Sequence, residues 1–171
     1  MPAEDMAPRG SPDRSVSGDR GMPPGPARTG HADVAVRLSG GEIAVRRTLV
    51  HLRDRLRAAG VAESDNYDVE LVLAEVLNNV FEHAYHDRPD GWIELHVRVT
   101  PREIEMHLID EGHAMPNLRL PTGTLPDAAV SLDQLPEGGF GWHLIRSLTD
   151  RLSYRRVVAE NRLEMTLLRR T

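Results

Sequence analysis

The sequence predicts an α+β fold, a two-layer α/β sandwich with a mixed, mainly antiparallel sheet. Strand-like and helix-like periodicities interleave in the order strand, helix, helix, hairpin, loop, helix, hairpin. Strands that alternate with helices but pair through short turns build an antiparallel sheet with the helices on one side. At 171 residues the chain suits one domain with a core of ordinary size.

Residues 1–32 contain no Leu, Ile, Phe, Trp or Tyr and hold half of the twelve prolines. Such a segment cannot bury enough apolar surface to offset its ordering entropy, so a disordered tail is expected over 1–32 and a folded domain over 33–171. Val34, Val36 and Leu38 alternate with Ala35 and Arg37 as a half-buried strand does. Ser39 precedes Glu42 at capping-box spacing, and Val45, Leu49, Leu52 and Leu56 form an apolar stripe that stops at Gly60. A second helix is expected from about Asp65 to about His86, capped by Ser64 or Asp65. Its core face would be Val69, Leu73, Val76, Leu77, Val80 and Ala84.

Ile93, Leu95, Val97 and Val99, then Ile104, Met106 and Leu108, alternate on either side of Thr100-Pro101-Arg102 and predict a hairpin ending at Asp110. Glu111 to Gly138 is rich in Pro, Gly and Asp and lacks a period. That is long for a connection inside a compact domain and suits a functional lid. Gly139 to Thr149 returns to helical spacing. Residues 152–157 and 162–168 pair as a closing hairpin across Ala159-Glu160-Asn161.

Composition narrows the function. With 21 basic and 26 acidic residues the formal net charge is -5, which argues against a nucleic-acid or anionic-membrane partner. The absence of cysteine excludes disulfides, thiolate metal sites and a cysteine nucleophile. No segment approaches the roughly 20 apolar residues of a membrane helix, and the N-terminus has no signal-peptide core, so a cytoplasmic protein is expected.

Three short patterns can carry chemistry. In ELVLAEVLNNVFEHAYHD, Glu75, Asn79 and His83 recur every four residues, so a carboxylate, an amide and an imidazole share one side of a helix. The same residues also suit a merely solvated face. In HLIDEGHAMP, Asp110 and Gly112 stand where a strand becomes a loop. There a carboxylate can accept from an exocyclic amine and a glycine admits close approach, although turns use the same residues. In EGGFGWHLI, Gly138, Gly139 and Gly141 precede a helix whose free amides and dipole suit phosphate. His83, His86, His96 and His107 lack the His-Glu-x-x-His spacing of a zinc site, and no Gly-x-Ser-x-Gly elbow surrounds Ser131 or Ser147. Trp92 and Trp142 read as packing residues, with Trp142 placed to line a pocket beside Gly141.

Together and in this order, the three patterns resemble the N, G1 and G2 boxes of the GHKL superfamily, the histidine-kinase-like ATPases. Over about residues 33–171 the chain looks most like the bacterial anti-sigma-factor serine kinases. The resemblance implies that Glu75 is the general base and Asn79 the ligand of a Mg²⁺ that bridges the phosphates of ATP, with His83 closing the N box. It implies that Asp110 binds the adenine amino group, with Gly112 in the same turn, and that Gly139 and Gly141 form the phosphate-side turn. It further implies transfer of the γ-phosphoryl group to a serine of a STAS-type anti-anti-sigma protein, a sigma factor as second partner, and a homodimer. This chain departs from the family pattern in two places. His113-Ala114-Met115-Pro116 stands where a second glycine is common, and Trp142 where a small aliphatic residue is common. Two other readings stay open: a catalytically weak or inactive adaptor, and the detached ATP-binding domain of a histidine kinase.

Overall fold

The computed structural model describes residues 32–86, 88, 90–123 and 139–170. Apart from Ala32, which opens the first strand, the expected tail lies outside the described residues, as does the second half of the expected lid. Strand β1 (Ala32–Ser39) leads into helices α1 (Glu42–Ala58) and α2 (Glu63–Asn79), the latter continued by a π-helical turn, Val80–Ala84. Strands β2 (Trp92–Val99) and β3 (Glu103–Asp110) follow, then a 3₁₀ turn at Pro116–Leu118, helix α3 (Gly139–Leu148), and strands β4 (Arg151–Val157) and β5 (Glu160–Leu168).

The five strands run in the order β1-β2-β3-β5-β4, and every pairing is antiparallel. Period-two alternation decides which face is buried. Ile93, Leu95, Val97 and Val99 on β2, and Ile104, Met106 and Leu108 on β3, pack under the helices, while His96, Arg98 and His107 point away into solvent. The helices close the other side of the core with Val45, Leu49, Leu52 and Leu56 from α1 and Val69, Val72, Leu73, Val76 and Leu77 from α2. Ile145 of α3 is fully buried in the same cluster.

Four local expectations are corrected. The Ser39–Glu42 capping box does not form: Gly40 and Gly41 both adopt positive φ, so Ser39 remains in β1 and Gly41 takes the cap position without a side-chain bond. Neither Ser64 nor Asp65 caps α2, which starts at Glu63 after Ala62. Asp65 is instead buried and accepts the Arg170 N–H, tying the C-terminal strand's exit to this helix. The second helix also stops short of His86. It widens into the π-helical turn, and His86 takes a left-handed φ of 50°. Finally, the β4–β5 turn is Val158-Ala159, with Val157 paired to Glu160, so Asn161 is a strand residue opposite Asp110.

Candidate functional site

A cavity of about 660 Å³ opens between the end of α2, the end of β3 and the start of α3. That volume is ordinary for a small-molecule site. Its apolar wall includes Val76, Val80, Leu108, Met115, Trp142 and Leu163, and its polar groups include Asn79, His83, Asp110 and Asn161. Trp142, 6% exposed, belongs both to the core and to this wall, because a ring on α3 one residue after Gly141 reaches across the gap between the layers.

The three sequence patterns meet here. Gly141 lies in the first turn of α3 so close to α2 that an added Cβ would stand 2.5 Å from Glu75 Oε2 and 3.7 Å from Asn79 Nδ2. Two α2 side chains four residues apart therefore converge on the glycine end of α3. Among the described residues Glu75 makes no hydrogen bond or ion pair, and the buried Asn79 Nδ2 has no partner. A buried amide without a partner is costly unless a ligand or water completes it. His83 lines the cavity but remains well exposed, 4.0 Å from Glu82 Oε1. Gly139 opens α3. Glu75, Gly112 and Gly141 stand beside the cavity rather than among the residues that line it.

A second part of the cavity wall is built on Asp110, 3% exposed. Its Oδ1 accepts the Gly112 N–H at 2.8 Å and the Asn161 amide at 2.7 Å. No described residue donates to its second oxygen. Burial pushes the Asp110 carboxyl above its ordinary value, against the pull of Asn161, the Gly112 N–H and Arg156. Gly112 is held against the π-helical turn. A Cβ there would lie 2.7 Å from both Ala84 Cβ and Ala84 O, and the next residue's N–H donates to that carbonyl at 2.8 Å. Tyr85, whose hydroxyl burial keeps protonated beyond its ordinary range, donates to Trp92 O at 2.7 Å and accepts the Glu111 N–H at 2.9 Å.

Sequence reasoning missed the π-helical turn, Tyr85, and the β4–β5 groups Tyr154, Arg156 and Asn161. No local pattern marks them, since Asn161 looks like any turn asparagine until strand register places it beside Asp110. The four histidines divide between two places. His83 and His86 line the cavity, whereas His96 and His107 sit opposite each other on the outer face of the sheet. Among the described residues no group of three or more His, Asp or Glu is arranged to hold a metal ion. Nor, among those residues, is any helix long and apolar enough to cross a membrane.

The residues present nevertheless fit a nucleotide with a divalent cation. Asp110 lines the cavity with an acceptor for an exocyclic amine, and Asn79 lines it with an amide that has no partner among the described residues, next to Glu75 and Gly141. Residues 41–167 match the histidine kinase-like ATPase domain, and the chain belongs to that family. Within it, this chain is a member of the branch that includes named serine/threonine-protein kinases. It is 36% identical over 118 residues to serine/threonine-protein kinase BtrW of Bordetella bronchiseptica, which covers 68% of this chain and 77% of BtrW. It is 30% identical over 105 residues to serine-protein kinase RsbW of Oceanobacillus iheyensis, which covers 56% of this chain and 65% of that protein. The match thus spans just under two thirds of that RsbW. Among solved structures, the RsbU and RsbW domains of a Mycobacterium tuberculosis protein superpose with a TM-score of 0.54 at 16% identity, over 82% of this chain and 33% of that one. That likeness is one of fold.

Proposed function

We propose that this chain is an ATP-dependent protein serine kinase that transfers the γ-phosphoryl group of Mg-ATP to a serine of a STAS-type anti-anti-sigma protein. On this reading it also holds a sigma factor, so that phosphorylation switches its partner and regulates transcription in the cytoplasm. A second copy of the chain is the family's expected further partner. The observation that carries the reading is the convergence of Glu75 and Asn79 on Gly141, with Asn79 and Asp110 lining the same cavity.

Asp110 offers its free oxygen to the amino group of adenine, and the apolar wall with Met115 and Trp142 encloses the base. The amides at the start of α3, freed by Gly139 and Gly141, face the phosphates. Asn79 would hold the Mg²⁺, and His83 borders the same end. The cation held there would supply charge neutralisation to the phosphates. The serine hydroxyl oxygen forms a bond to the γ-phosphorus while the bond from that phosphorus to the β–γ bridging oxygen breaks. Glu75 takes the hydroxyl proton and ADP leaves. Phosphoryl transfer asks a protein mainly for positioning and charge stabilisation, which this inventory supplies.

The test is incubation with labelled Mg-ATP and a purified STAS-type protein, followed by acid treatment. Acid-stable phosphoserine, lost in Glu75→Ala while ADP affinity stays within a few-fold, supports the kinase. Nucleotide binding without transfer favours the adaptor, a reading motivated by His113-Ala114 in the first turn. An acid-labile product on another chain would point instead to phosphohistidine chemistry.

A further inference from the structure

We propose that Asn161, held by Tyr154 and Arg156, is a positioning residue that aims the Asp110 carboxylate and shapes the first glycine turn for the nucleotide base. The inference rests on the nucleotide-binding reading of the cavity and goes beyond it by naming what keeps that end in shape. Asn161 is buried in β5. Its Oδ1 accepts from the Tyr154 hydroxyl and from Arg156, each at 2.7 Å. Its Nδ2 donates to Asp110 Oδ1 at 2.7 Å, with the carbonyls of His113 at 3.1 Å and Gly112 at 3.3 Å beside it. A guanidinium only donates and a carboxylate or carbonyl only accepts, so the amide has one permitted orientation. Both of its ends are then occupied by protein, and it has no capacity left for a ligand. Asn161 therefore acts through Asp110, whose second oxygen is the one that no described residue occupies.

The same hairpin also binds the turn itself. Arg156 donates to Gly112 O at 3.0 Å, and the Tyr154 hydroxyl accepts the Met115 N–H at 3.1 Å. Three backbone groups between Gly112 and Met115 are thus satisfied by side chains of β4 and β5. The turn, with His113-Ala114 in place of a second glycine, takes its shape from outside rather than from glycine freedom. The charged and titratable groups around Asp110 are Arg156 from β4, Tyr85 at the end of the π-helical turn, the neighbouring Glu111, and the His86–His113 ring pair in the cavity. Among these, Arg156 favours the ionised carboxylate, as does the Asn161 hydrogen bond.

The experiment follows the Asp110 carboxyl by carbon NMR in the nucleotide-free, full chain, across a pH titration of wild type, Asn161→Leu and Tyr154→Phe. Asn161→Leu is expected to raise the proton affinity of Asp110 about tenfold, a shift of about one pH unit, with a smaller shift the same way in Tyr154→Phe. Calorimetric ADP titrations should then show a loss in Asn161→Leu that is largest at acid pH and recovers as pH rises. An Asp110 titration left in place by both variants, or an affinity loss equal at every pH, would overturn the positioning role. If Asn161→Leu does not fold, Tyr154→Phe decides the matter, since it removes one hydroxyl and no packing volume. A wild type that binds no adenine nucleotide sinks the kinase reading, and the carboxyl titration still decides this one.

Discussion

On the proposed mechanism, Gly141→Ala separates catalysis from folding. Gly141 is helical and its φ is not positive, so alanine there removes backbone entropy from the unfolded chain and should stabilise the helix by up to about 1 kcal/mol. For a domain of this size that raises Tm by about 2–4 °C. The new methyl carbon, however, would stand 2.5 Å from Glu75 Oε2. A carbon and an oxygen in ordinary contact are about 3.5 Å apart, so the carboxylate has to retreat by about 1 Å. The Glu75 carboxylate is the flexible end of a side chain without a partner among the described residues, so the retreat costs the fold little. For the proposed general base, which has to meet a substrate hydroxyl, a displacement of that size is worth about 10²-fold in rate. Asn79 Nδ2 would be at 3.7 Å from the methyl carbon, an ordinary contact, so nucleotide affinity should hold within a few-fold. The assay pairs thermal melting and ADP calorimetry with single-turnover transfer from labelled ATP. A variant with raised Tm and an unchanged transfer rate would show that Glu75 does not act beside Gly141, and the reasoning would fail.

Gly112→Ala should behave in the opposite way. Its Cβ meets the backbone and Cβ of Ala84 at 2.7 Å, which cannot step aside, so a loss of about 1–3 kcal/mol in chemical denaturation and weaker ADP binding are expected together. Asp110→Asn keeps an oxygen for Asn161 and Gly112 and removes a buried charge. Because burial raises the folded carboxyl above its unfolded value, the wild type is most stable where that group is protonated and loses this contribution as pH rises through the folded value. Melting curves should therefore show Asp110→Asn gaining on wild type from acid to neutral pH, while its ATP affinity drops at least about tenfold. Val158 is 98% exposed at a φ of 56°, so Val158→Gly should stabilise the β4–β5 turn by about 1 kcal/mol, read as a rise in Tm with unchanged nucleotide binding.

Periodicity alone determined the elements of this chain and their faces. Alternation at Ile93 to Leu108 specifies a hairpin with one buried side, and the stripes of α1 and α2 specify what covers it, because each pattern encodes only its own local geometry. It also placed Glu75, Asn79 and His83 on one side of a helix and set Asp110 at a strand end. Tertiary structure decided the rest. The approach of Gly141 to Glu75 depends on how α3 docks on α2, and the pairing of Asn161 with Asp110 depends on β5 inserting between β3 and β4. The same holds for the π-helical turn, whose last carbonyl receives the His113 N–H from a distant loop. The glycines of the β1–α1 corner displaced a capping box that spacing alone had allowed. Residues tens of positions apart leave no mark on one another's local pattern, and only the register of the assembled sheet brings their hydrogen-bonding groups within reach.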